Sequence, residues 1–294
     1  MISSRTPIRL RFWGVRGSFP RPGPSTARYG GNTSCVSLDG IHPDGQPWYL
    51  ILDAGTGIAE LGREVAQAEA EVFLMLTHAH WDHIQGFPFF EPIYQLGGCI
   101  HLVPGPHMDD AFELMFGQID GCRFPLQRDQ IPATFGSIRL GETCDGLYDA
   151  QHVQLLRVNH PGPTYGIRIQ AERHAIVYIP DNEIDPPYAP IATSDDLVGF
   201  CQGAQVLIHD AQYLDAELEQ RAGWGHSSIA QTLALAQAAE VEHLVLFHHD
   251  PRRTDDDLDA IQAHVNTLIA EAPYPARCTV AYEGLSLDLA PAHS

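Results

Sequence analysis

The chain has 294 residues, 44% of them hydrophobic, which is enough to bury one large core, and its formal charge at pH 7 is −20. All 17 basic residues are arginine, so catalysis by a lysine amine is excluded, and so acidic a surface disfavours long nucleic acid as a partner. No run of about 18 apolar residues offers a transmembrane helix, so no membrane association is expected. The opening Met1-Ile2-Ser3-Ser4-Arg5-Thr6-Pro7 lacks the apolar centre of a signal peptide. Cys35, Cys99, Cys122, Cys144, Cys201 and Cys278 are scattered without a Cys-x-x-Cys pair, which points to free thiols in a reducing cytoplasm.

Taken in order, residues 8–13 alternate like a strand and then turn at Gly14-Val15-Arg16-Gly17-Ser18. Residues 35–38 and 48–52 read as two further strands, and Asp53-Ala54-Gly55-Thr56-Gly57 leads into a helix over 58–68. Residues 72–76 form a continuous apolar run, the pattern of a strand buried on both faces. Residues 105–146 are the least regular stretch, with a helix at 109–116, and read as an excursion over one rim of the site. Strands resume at 153–158, 165–169, 175–179 and 206–208. A helix is expected over 227–239, a buried strand at 243–247 and a second long helix at 255–270. Residues 279–282 and 285–289 read as a terminal hairpin. Strands and helices interleave in two halves, so residues 1–294 read as one α/β domain of two sheets.

The densest chemical signal is Thr77-His78-Ala79-His80-Trp81-Asp82-His83, directly after the apolar strand at 72–76. Histidine fills only 16 of 294 positions, so three with one Asp in six residues stand far above the chain's composition. Imidazole nitrogen with carboxylate oxygen suits zinc, manganese or iron, and the carboxyl end of a buried strand is where α/β proteins place such sites. Four further features each follow a separate strand: His160, Asp181, His209-Asp210 and His248. His249 competes with its neighbour His248, and strand phase favours His248.

The cluster resembles the His-x-His-x-Asp-His signature of the metallo-β-lactamase superfamily. The resemblance implies a four-layer αββα sandwich and two adjacent metal ions, most simply zinc, with manganese or iron as alternatives. It assigns His78, His80 and His160 to one ion, Asp82, His83 and His248 to the other, and Asp181 as a bridge. Within the superfamily, His209-Asp210 followed by Gly225-His226-Ser227-Ser228 resembles the phosphodiesterase branch, which holds cyclic nucleotide phosphodiesterases and tRNA 3′-processing nucleases. The resemblance there makes Asp82, His226 and Asp210 the catalytic set, His226 contacting phosphate and Asp210 steadying it. Ser227 is an alternative reason for a polar helix start, as a cap.

The segments Phe12-Trp13-Gly14-Val15-Arg16-Gly17-Ser18, Gly30-Gly31-Asn32-Thr33-Ser34-Cys35 and Gly223-Trp224-Gly225-His226 are similar to a bacterial subgroup of phosphodiesterase-like hydrolases, so the resemblance runs from Ile8 to Asp250. Two departures stand out: Pro180-Asp181-Asn182 replaces Gly-Asp-Thr, and Asp210-Ala211-Gln212 replaces Glu-Ala-Thr. Arg16, Asn32 and Trp224 are candidates for substrate binding, and Trp81 and Tyr213 for stacking on a base, with turn-holding and packing as the plainer alternatives. Asp53 is expected to brace the metal loop. His42, His101, His107, His152, His174, His243, His264 and His293 carry no pattern. The function so implied is hydrolysis of a small phosphodiester such as a cyclic nucleotide. A glyoxalase II-like thioesterase or lactonase, a tRNA-processing nuclease and a non-hydrolytic di-iron module are the alternatives. The oligomeric state stays open, with a homodimer as one option.

Overall fold

The computed structural model describes residues 8–42, 44–106, 108–138, 152–171, 174–271 and 277–289. In chain order its elements are β1 (Ile8–Gly14), β2 (Cys35–Ile41), β3 (Pro47–Leu52), α1 (Ile58–Ala68), β4 (Glu71–Met75), α2 (Trp81–Ile84), β5 (Cys99–Leu102), α3 (Met108–Phe116) and β6 (Thr134–Ser137). They continue with β7 (Val153–Arg157), β8 (Tyr165–Ala171), β9 (His174–Ile179), α4 (Ser194–Cys201), β10 (Val206–Asp210), α5 (Asp215–Leu218) and α6 (Ile229–Ala238). Last come β11 (His243–Phe247), α7 (Asp255–Glu271), β12 (Arg277–Val280) and β13 (Ser286–Leu289). By its internal contacts the chain divides into two compact units. The first is Met1–Gly14, Asn32–Ala150 and Glu283–Ser294, and the second is Val15–Gly31 and Gln151–Tyr282.

The first unit is built on one sheet of order β13-β1-β2-β3-β4-β5-β6, antiparallel from β13 to β3 and parallel from β3 to β6. Leu50, Ile51 and Leu52 of β3 and Phe73, Leu74 and Met75 of β4 are fully buried, which is why both read as unbroken apolar runs. Ile58, Leu61 and Val65 of α1 are buried at three- and four-residue spacing, the stripe a helix needs to cover a sheet.

The second unit has a sheet of order β12-β11-β10-β9-β8-β7, parallel from β12 to β9 and antiparallel from β9 to β7. Its core joins Val177, Ile179, Leu207, Leu244 and Leu246 of the strands to Leu197 of α4, Leu235 and Ala236 of α6, and Leu258 and Val265 of α7. All five residues of β10 are buried, so His209 and Asp210 are carried at the end of a strand with no exposed face.

The structure departs from the sequence expectation in four places. The terminal segments do not form a hairpin: β12 pairs with β11 in one sheet and β13 with β1 in the other, because pairing with a distant strand buries each better than a two-stranded ribbon would. Residues 105–138 contain α3 and β6, and β6 extends the first sheet beside β5; residues 139–146 lie outside the described residues. Helices α2, α4 and α5 and strand β5 have no counterpart in the expected elements. Finally, α6 is capped by Ser228, whose Oγ accepts from Gln231 N, rather than by Ser227. Cys35, Cys99, Cys122, Cys201 and Cys278 are free thiols, while Cys144, His107 and His293 lie outside the described residues.

Removing that cap tests the local reading of the second unit. Ser228→Ala should cost about 1 kcal/mol, the usual worth of an N-cap hydroxyl. Urea denaturation should show a lower midpoint at unchanged slope. An unchanged midpoint would mean that Ser228 does not hold the helix start.

Candidate metal centre

In the first unit the site is made by two parallel strands that end side by side. Asp53 directly follows β3, and its N–H donates to Met75 O at the end of β4, 2.9 Å away. Its backbone is left-handed, with φ 63°, a conformation that costs a non-glycine residue of order 1–3 kcal/mol. That geometry turns the carboxylate onto the loop after β4. It accepts from Thr77 N at 2.7 Å and bonds His83 Nδ1 at 2.8 Å. The single turn of α2, starting right after His80, then folds Asp82 and His83 back towards His78. The His78 ring centre lies 4.5 Å from that of His80 and 4.2 Å from that of His83, and His83 Nε2 lies 3.4 Å from Asp82 Oδ2. The bracing role expected of Asp53 is what its contacts describe.

In the second unit β9, β10 and β11 are adjacent and parallel, with Ile179 opposite His209 and Asp210 opposite Phe247. Asp181, Asp210 and His248 therefore project from one edge of the sheet. Asp181 Oδ2 lies 3.5 Å from His160 Nε2, and its other oxygen, Oδ1, lies 3.3 Å from His248 Nε2. One carboxylate thus offers a separate oxygen to each imidazole. His248 is itself left-handed, with φ 59°. Gly17 closes over it: a Cβ there would lie 2.3 Å from His248 Nδ1.

These donors fit divalent ions on two counts. Two ligand atoms that share an ion at zinc bond lengths sit about 3.3 Å apart in tetrahedral geometry, close to the three nitrogen–oxygen distances above. In addition, a ligating imidazole normally has its other nitrogen held by the protein. Four rings meet that condition through Nδ1: His78 on Thr77 Oγ1 at 3.0 Å, His83 on Asp53, His160 on Gly225 O at 2.8 Å, and His248 on Gln212 Oε1 at 3.0 Å. Each is thereby set to ligate through Nε2.

His226 sits in the second unit beside two of these rings, 5.0 Å from His248 in a stacked arrangement and 5.2 Å from His160 edge-on. Its Nδ1 is 2.6 Å from Asp210 Oδ2, so the pair anticipated from the sequence is formed. Asp210, His226 and His248 also bring ligand atoms within 4.8 Å of one another. The Asp210 carboxylate additionally accepts from Asn182 N and Gln212 N, which marks it as a brace for His226 and the strand ends.

The expected substrate contacts fare differently. Arg16 is fully buried, and its guanidinium donates to Gly30 O at 2.8 Å and Arg253 O at 2.7 Å; it holds backbone turns and offers no face to a substrate. Asn32 is likewise engaged, through Nδ2 and its backbone N–H, by the Glu283 carboxylate. Tyr213 is buried under the Arg221 guanidinium, so it packs rather than stacks on a ligand. Trp224, 61% exposed, and Trp81, 71% exposed, keep their indoles open. His249 is buried with Nε2 on Ala281 O, and burial pushes its pKa down to about 3, so it is a neutral structural group and no rival to His248. His209 points away from ligation: its Nδ1 bonds Asp210 O.

Three buried residues given no role in the sequence reading make hydrogen bonds at the site: Asn159, Glu183 and Gln212. Gln212 fills the Thr position of the Glu-Ala-Thr pattern and orients His248. Asn182, in the Thr position of Gly-Asp-Thr, accepts from Asn159 N through Oδ1. Both departures from the family pattern are thus occupied by working hydrogen bonds.

Parallel strand ends carrying imidazoles and carboxylates, with four of the rings held by a second protein group, define a metal-dependent hydrolase. The β-lactamase superfamily domain matches residues 48–249, and the chain belongs to that superfamily. It is 24% identical over 284 residues to ribonuclease Z of Shouchella clausii, covering 82% of this chain and 89% of that enzyme. A shorter match to ribonuclease Z of Halalkalibacterium halodurans is 36% identical over 83 residues but spans 27% of either chain. Among solved structures, the metallo-β-lactamase fold protein YhfI from Bacillus subtilis superposes with a TM-score of 0.64 at 17% identity, over 96% of this chain and 99% of that one. This likeness shows the fold.

The Asp53 brace can be tested alone. Asp53→Asn keeps an acceptor for Thr77 but presents an amide to His83 Nδ1, which disfavours the tautomer that ligates through Nε2. Zinc affinity, read by competition with a chelator, should fall roughly 10–100-fold. Wild-type affinity would make Asp53 irrelevant to the metal.

Proposed function

We propose that the chain hydrolyses small phosphodiesters, with cyclic nucleotides as the leading substrate class, using two divalent ions held by His78, His80, Asp82, His83, His160, Asp181 and His248. The observation that carries the reading is the Asp210–His226 pair at 2.6 Å beside the rings of His160 and His248. A site that only had to bind metal would not need a further imidazole aimed by its own carboxylate.

The two ions, zinc in the first instance, supply Lewis acidity towards phosphoryl oxygens and an acidified water. The rest falls to the chain's own residues. Asp181 offers one oxygen beside His160 and the other beside His248, and its charge would offset the repulsion between two neighbouring cations. Asp82 receives a proton from the attacking water or orients it. His226, taken as the imidazolium that the Asp210 carboxylate on Nδ1 favours, donates from Nε2 to a phosphoryl oxygen as negative charge grows there and then gives up that proton to the departing oxygen, becoming neutral. The exposed Trp224 lies two residues from His226 and offers an aromatic face to a base or aryl group. Free thiols and the lack of a membrane-crossing helix among the described residues support a cytoplasmic enzyme.

A tRNA-processing nuclease is the second reading, favoured by the relatives named ribonuclease Z. The charge of −20 with no lysine weighs against it, since a long polyanion needs a basic docking surface.

His226→Ala should keep both ions and lose roughly 10²–10⁴-fold in kcat on an aryl phosphodiester. A variant as active as wild type would remove the phosphodiesterase reading's main support. Asp181→Ala should weaken both ions together by titration with zinc; loss of one alone would make Asp181 a terminal ligand. Wild-type enzyme should also show a higher kcat/KM for an aryl diester than for the matching monoester. The reverse order would contradict the substrate class.

A further inference from the structure

We propose that Glu183 is a positioning residue that fixes His160 and His226 together, through the turn between them. The inference rests on the reading of His160 as a metal ligand. Glu183 is buried, 1% exposed, and its carboxylate meets no arginine among the described residues. A buried carboxylate without a cation is costly unless strong donors replace water. Here the donors are backbone: Gly223 N at 2.8 Å and Gly225 N at 2.9 Å. Charge-assisted bonds of this kind are stronger than neutral ones, so they lock the turn 223–225.

What the locked turn does is set by Gly225. Its carbonyl receives His160 Nδ1 at 2.8 Å, its φ is +86°, and a Cβ there would lie 2.3 Å from the same nitrogen. The backbone is therefore pressed against the His160 ring, and no other residue type fits. His226 is the next residue along. At its other end Glu183 is tied to the His160 loop, its N–H donating to Asn159 O at 2.8 Å and its carbonyl accepting from Asn159 Nδ2 at 3.0 Å. Ser227 adds a tie from the far side, its Oγ donating to Asn182 O at 2.6 Å. Glu183 thus stands where the loops bearing His160, Asp181 and His226 meet, and among the described residues its side chain is the charged group that holds the turn. Replacing it lets the Gly225 carbonyl retreat, which removes the acceptor that orients His160 and shifts His226 at the same time.

The test uses the full chain with zinc as the probe. In Glu183→Gln and Glu183→Ala, chelator competition should find one of the two zinc affinities weaker by roughly 10–100-fold and the other within about twofold. At saturating zinc, kcat on an aryl phosphodiester should drop at least about tenfold with KM little changed. The Nδ1–H proton resonance of His160, identified by its loss in His160→Asn, should broaden by faster exchange. Should the Ala variant not fold, the near-isosteric Gln variant decides alone. A folded Gln variant with both affinities, kcat and the resonance at wild-type values would overturn the proposal. Failure of the underlying reading looks different: His160→Asn itself would then leave zinc binding intact.

Discussion

The orientation of imidazole rings is the constraint on which the rest of the structure depends. A neutral imidazole has one nitrogen with a proton and one without, and the group bonded to the first decides which nitrogen is left to ligate. Four of the ligand candidates are fixed in this way, by a threonine hydroxyl, an aspartate, a glycine carbonyl and a glutamine carboxamide. The acceptors share no residue type, only a position against Nδ1. Two of the residues involved, Asp53 and His248, hold left-handed backbones to get there, so the folded core offsets local strain at the site.

The strands explain how so many groups reach one edge of each sheet. β3 and β4 end together and deliver the loop from Thr77 to His83. β9, β10 and β11 end together and deliver Asp181, Asp210 and His248. Parallel strands buried on both faces cannot carry polar residues along their length, so polarity collects where the chain leaves the sheet. The same logic makes the braces local to each strand end: Gln212 is two residues past Asp210, and Glu183 is two past Asp181.

Much of this was legible in the sequence wherever the signal was local. The helix at 58–68 and the strand at 243–247 come out with the same ends in the structure, because amphipathic spacing and a bounded apolar run are both short-range patterns. The strand-end histidines and aspartates were readable as ligand candidates for the same reason. The terminal hairpin failed because Gly284 between two apolar runs looks like a tight turn, whereas the partners of β12 and β13 lie far away in the chain. Helix α4 was missed although Thr193 and Asp196 form a capping box, a signal present in the sequence but outweighed by the brevity of the helix. Arg16 was legible only as an alternative, a phosphate contact or a holder of its turn, and its burial against the Gly30 and Arg253 carbonyls fits the second. Glu183 has no local signature at all, since its partners lie 40 and 42 residues away.

The central claim is that oriented imidazoles hold a pair of ions through Nε2, with Asp181 common to both. Anomalous diffraction at the zinc edge from crystals of the zinc-loaded chain tests it most directly. The account predicts two zinc positions per chain, about 3.5–4 Å apart, with one Asp181 oxygen on each and every ligating histidine of the four braced rings bound by Nε2. A single zinc position, or ligation through Nδ1 by any of those four rings, would contradict it.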